Sequence, residues 1–213
     1  MGRRRYVTAA EAAEAAEGEE FLRRYLAGAE PRLQWLRELS ARTGGPAPDR
    51  LDYSRDSLLP LWTWAMGRFR QRPEDEPTEF VNNGPRGRYY LPRGPLPMWY
   101  GRRAVTAPHK WDNETLQLID ALVYYLAESI LRAVPTAQWE VFHADVSNHI
   151  DENQPVLTGF PVQVDPLGVL LSLAGRTYHA RYPDAPNPYK VPPATPTELQ
   201  ELYDAIVHNA KPA

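Results

Sequence analysis

Five side chains within ten positions, His143, Asp145, His149, Asp151 and Glu152, are of the types that hold divalent metals. Imidazole nitrogen and carboxylate oxygen suit zinc or manganese, but their spacing matches no standard ligand set. On a strand, His143 and Asp145 share a face, while the others fall in a polar loop. The cluster admits two readings, a metal-dependent hydrolase and a solvated loop, and the loop is the simpler. No phosphate-binding glycine loop, Gly-x-Ser-x-Gly elbow or His-Glu-x-x-His helix accompanies it. No cysteine is present, which excludes disulfides, thiolate metal sites and a thiol nucleophile. No cofactor is called for, and an enzyme is the less favoured class.

The second chemical feature is the segment 82–110, NNGPRGRYYLPRGPLPMWYGRRAVTAPHK, which contains no acid. Arg86, Arg88, Arg93, Arg102 and Arg103 alternate there with Tyr89, Tyr90, Trp99 and Tyr100. Arginine beside aromatic rings anchors protein interfaces. The same composition can grip phosphates and stack on bases. A third possibility is that the rings pack the segment onto the core while the arginines stay solvated. The acids are concentrated elsewhere, at Glu114, Asp120, Glu128, Glu140, Asp145, Asp151, Glu152 and Asp165, against Arg132 alone from Asn113 to Asp165. Such a half would steer a basic partner protein towards it, or neutralise the basic segment of the same molecule. A net charge of -3 gives the whole chain no pull towards nucleic acid or an anionic membrane.

These groups need elements to position them. The organising stretch is Asn113 to Ala133, where Leu116, Ile119, Val123, Leu126, Ile130 and Ala133 line one helical face. Leu118, Leu122 and Tyr125 widen that face, so the helix must be covered on more than one side. Thr8 and Glu11 have capping-box spacing before a helix from Ala9 to Ala27. A second helix follows from Leu33 to Gly44. A third lies within Leu51 to Arg72, with Ser54 as N-cap and a regular start expected only near Leu58 because of Pro60. From Pro73 to Pro108 no helical period is visible, with short extended pieces at Arg88 to Leu91 and Met98 to Tyr100. Trp139 to Phe142 and Val156 to Val164 read as an antiparallel pair. Asp165-Pro166 starts one further helix and Thr197 another. The longest apolar run, Leu167 to Ala174, is too short to cross a bilayer, and the amino terminus lacks the apolar core of a signal peptide. The expectation is a soluble, cytoplasmic, single-domain α+β protein over residues 1–213, mainly helical, with a small antiparallel sheet packed on the central helix. Residues 1–48 form a helical amino-terminal arm and 73–112 a long Pro, Gly, Arg and aromatic-rich loop.

Two groups of residues carry a resemblance. One is Leu51-Asp52-Tyr53-Ser54 followed by Ser57, Leu58 and Trp62; the other is Tyr125-Leu126-Ala127-Glu128, Trp139-Glu140, Pro155-Val156-Leu157 and Asp165-Pro166-Leu167. Together they resemble uncharacterised actinobacterial proteins of the toxin-immunity type, over about half the chain, with Ala127 where that pattern has glycine. The resemblance implies a small α+β domain. It and the charge pattern point to docking on another protein, a toxin or a defence or secretion component. The partner-binding candidates are Arg86, Arg88, Tyr89, Tyr90, Arg93, Trp99, Tyr100, Arg102, Arg103, Asp145, Asp151 and Glu152.

Overall fold

The computed structural model describes residues 9–82, 88–103, 110–143, 152–185 and 190–210. At its centre is α5, Asn113–Ala133, in which every residue from Thr115 to Ala127 is buried. Its start is fixed by Asp112, whose carboxylate accepts a hydrogen bond from the Thr115 amide at 2.7 Å. An apolar circumference this wide demands several neighbours, and α2 (Ala29–Arg42), α3 (Arg55–Arg68), α6 (Pro166–Arg181) and α7 (Glu198–His208) all pack against it. The result is the α+β, mainly helical class expected from the pattern.

Helix α1, Ala9–Ala27, turns solvent-facing residues outward over its early described turns and buries Phe21, Leu22 and Tyr25 late. Thr8 of the expected capping box lies outside the described residues. Leu33, Leu36 and Leu39 of α2 join the same core as α5. Helix α3 runs unbroken from Arg55, earlier than the proline suggested. Pro60 is exposed, and the carbonyl it leaves without an N–H partner belongs to Asp56, also exposed, so the lost bond falls on the solvent side where it costs least. Ser54 sits at the N-cap but its side chain does not cap; Asp52 accepts from the Ser54 amide at 2.9 Å instead. The proline-rich approach to α7 has few amides of its own and is held from outside. Arg176 donates to the carbonyls of Pro192 at 2.8 Å and Pro193 at 3.0 Å and pairs with Glu198.

Two antiparallel two-stranded sheets complete the fold. Gln138–Val141 (β3) pairs with Pro155–Thr158 (β4), close to the expected pair, and Leu157 also bridges to Val164. The other sheet was not expected. Thr78–Asn82 (β1) pairs with Arg88–Pro92 (β2), so the region read as irregular contains a hairpin. Met98 to Tyr100 is not extended; it turns into the single helical turn α4, Tyr100–Arg103, through a bond from the Tyr100 amide to the Pro97 carbonyl. Among the described residues no helix is long and apolar enough to cross a membrane.

Gly159, after β4, has φ 95°, and a Cβ there would stand 2.5 Å from the Thr136 carbonyl oxygen. Gly159→Ala therefore combines left-handed strain with a backbone clash, and is expected to lower stability by about 2 kcal/mol in urea denaturation. An unchanged midpoint would contradict this tight crossing.

Candidate functional site

The first unusual local geometry is at Tyr53, in the turn between the 3-10 segment Pro48–Arg50 and α3. Its φ is 65°, a left-handed conformation that a bulky residue adopts at a cost of about 1 to 3 kcal/mol and only when its surroundings enforce it. They do so from three elements. From α5, the Tyr125 hydroxyl accepts the Tyr53 amide at 3.0 Å and bonds Ser57 at 2.7 Å, while its ring stacks on Tyr53 at 4.8 Å between centroids. From the end of α5, the Arg132 guanidinium lies over the Tyr53 ring, 4.0 Å from its centroid. From α2, Arg37 donates to the Tyr53 hydroxyl. Burial pushes the Tyr53 phenol up, and the two arginines pull it back. Tyr125→Phe leaves the Tyr53 amide without its acceptor and is expected to cost about 1 to 3 kcal/mol, read from the unfolding midpoint. No change would mean that the turn does not depend on that hydroxyl.

An apolar groove of about 680 Å³ opens between the loop 160–164, the start of α6 and one face of α7. Val162 stands 74% exposed at the loop tip, and Leu202 and Ile206 of α7 are only half-buried. A bidentate ion pair joins this groove's helix to the tyrosine turn. Arg55, two residues beyond Tyr53, donates to both carboxylate oxygens of Asp204, at 2.6 and 2.5 Å. The groove and the Arg–Tyr cluster thus lie on elements fastened to each other.

The interior holds a polar node on the same central helix. Asp120, 3% exposed, faces the Arg32 guanidinium at 2.8 Å and accepts from the Trp99 indole at 3.0 Å. Burial raises its carboxyl from 3.8 to about 6, against the lowering effect of Arg32 and Trp99. One turn on, Tyr124 donates to the Tyr25 carbonyl at 2.8 Å and stacks on its ring, and burial pushes both phenols up.

The structure separates the residues singled out from the sequence. Trp99 and Tyr100 are buried, 1% and 8% exposed, so these rings fasten their segment to the core and do not present themselves to a partner. Arg88, Tyr89 and Tyr90 lie on β2, Arg102 and Arg103 on α4, and Arg93 is exposed just past β2. Glu152 faces His143 at 3.1 Å across the ends of the polar loop. Arg86, Asp145 and Asp151, with His149, lie outside the described residues. Among the described residues no three groups converge as a metal site. Three of the eight acids of that half are paired with arginines of the same molecule: Glu114 with Arg68, Asp120 with Arg32 and Glu128 with Arg132.

Sequence reasoning missed the cluster of Arg37, Tyr53 and Arg132. Its one signal was Tyr53 in the Leu51 to Ser54 group, since left-handed backbone is invisible in a tyrosine codon position that any turn could share. Leu202 and Ile206 were legible as an apolar stripe, but not as one left partly open. Compared with known proteins, the chain matches no family model, no curated protein and no solved structure.

Proposed function

We propose that this chain is a cytoplasmic protein-binding accessory of the toxin-immunity kind, acting by docking to a partner protein from a toxin, defence or secretion system. The observation that supports it is the apolar groove beside α7, lined by the exposed Val162 and by Leu202 and Ile206, which pack against the core but stay partly open. Apolar surface left open in this way commonly marks a protein contact. The occupant is an apolar segment of the partner, laid along α7, with the Arg37–Tyr53–Arg132 cluster as a second contact; tyrosine and arginine are the side chains that dominate interface energies. The resemblance to immunity-type proteins points the same way.

Genes adjacent to this one supply the test. Their purified products are titrated against the full chain by calorimetry, and co-expressed with it in a toxicity assay. A complex that is weakened at least about tenfold by Ile206→Asp, with the unfolding temperature preserved, supports the reading. No binding by any neighbour, together with no relief of toxicity, overturns it.

A further inference from the structure

We propose that Arg132, placed over the Tyr53 ring, is a preformed receptor for a carboxylate of the partner protein, so that the docking partner presents an acidic side chain at this point. The inference rests on the docking reading above and adds the chemistry of the contact. A guanidinium has two edges that match a carboxylate, the side edge containing Nε and the end edge formed by both Nη groups. In Arg132 the side edge is engaged, because Nε donates to Glu128 at 2.7 Å. Among the described residues neither Nη group has a hydrogen-bonding partner, and the side chain is 54% exposed. The guanidinium carbon sits over the Tyr53 ring, 4.0 Å from its centroid, and the contact with Glu128 restrains it as well. Tyr53 in turn is fixed by its bond to Tyr125 and by Arg37 at its hydroxyl. An arginine so constrained gives up little rotamer freedom when an anion arrives, which is the usual entropic cost of using a long side chain as an anchor.

The surrounding charges favour a single carboxylate over a polyphosphate. Arg37 supplies a second cation beside the same ring, 5.6 Å from its centroid, but Glu30 lies 3.6 Å from it, and Glu128 flanks Arg132. Two acids beside two bases leave no broad positive field, and a nucleic-acid backbone, which carries a charge at every step, would meet Glu30 and Glu128 as well as the arginines. A lone carboxylate meets only the open Nη edge.

The probe is a ten-residue glutamate peptide added at low salt to the full chain labelled with 15N, with the Arg132 Nε–H resonance as readout. A ten-residue lysine peptide and a twelve-nucleotide single strand serve as comparisons. The expected result is a saturable shift of that resonance by the glutamate peptide alone, with affinity about tenfold lower in Arg132→Ala and about threefold lower in Arg132→Lys, which keeps the charge and loses the fork. Arg132→Ala gives up its contacts with the Tyr53 ring and with Glu128 and is expected to lower the unfolding temperature, so Arg132→Lys, which keeps the charge, carries the comparison. No shift, an equal affinity in Arg132→Lys and the parent, or a shift produced only by the oligonucleotide overturns the assignment. A neighbour complex that survives Arg132→Glu at full strength removes the carboxylate contact and leaves docking intact, whereas absence of any complex removes the docking reading itself.

Discussion

Replacing Arg32 by Met is expected to cost up to about 3 kcal/mol of folding stability at pH 8 and far less at pH 5. Arg32 is the charge that compensates Asp120, a carboxylate inside the central helix whose other partner is the Trp99 indole. Removing one member of a buried pair leaves the other ion in low dielectric without a counter-charge, and the loss is capped at about 3 kcal/mol at pH 8 because a carboxyl already raised to about 6 then takes up a proton. The pH dependence follows from the direction of the Asp120 shift. Burial raises its carboxyl from 3.8 to about 6, so between these values the folded chain binds a proton that the unfolded chain does not. Stability from this group is therefore complete below pH 4, falls as pH rises towards 6, and above that is lower by about 3 kcal/mol. Near pH 5 the carboxyl is largely neutral and needs no cation, so the loss of Arg32 matters little. Asp120→Asn, which keeps an acceptor for Trp99, should abolish the difference between the two pH values. Urea denaturation of parent, Arg32→Met and Asp120→Asn at pH 5 and pH 8 checks all of this. An Arg32→Met cost equal at the two pH values would mean that Asp120 is not the group it compensates.

Asp120 also shows where sequence reasoning reached and where it stopped. Its position on the central helix was legible, because the three-and-four spacing of aliphatic residues fixes the helix and its length. Its burial was not, since periodicity places a residue on a face without saying what lies opposite. Arg32 is 88 positions away, and the pair forms only because α2 crosses α5. The same limit applies to Trp99. The composition of 82–110 fits rings packed on the core with solvated arginines as well as a partner surface, and for Trp99 and Tyr100 the fold shows core packing. Strand β1 was overlooked because Glu79, Phe80 and Val81 follow a run of acids and prolines that reads as a loop, and only pairing with β2 makes it a strand. Tyr53 marks the far end of legibility. Its left-handed backbone is imposed by Tyr125 and two arginines from other helices, none of which is local in sequence.

Leu126→Ala is expected to be a severe change that leaves every charge in place, lowering stability by about 2 to 5 kcal/mol. Leu126 is fully buried on α5, which packs against α2, α3, α6 and α7. Truncation removes the transfer energy of the lost methyl groups and opens a cavity that its neighbours can fill only partly. Relaxation is difficult here because α5 is held at its start by the Asp112 cap and along its length by Arg32–Asp120 and Tyr124–Tyr25, so it cannot slide to close the gap. Leu202→Ala on α7 is the contrasting case. That side chain is half-buried at the open groove, so truncation should cost no more than about 1 kcal/mol while weakening partner binding. Thermal unfolding of the two variants beside the parent separates a spine from a docking face. Comparable losses would mean that the α7 face is core after all, and the groove would then cease to be a candidate contact surface.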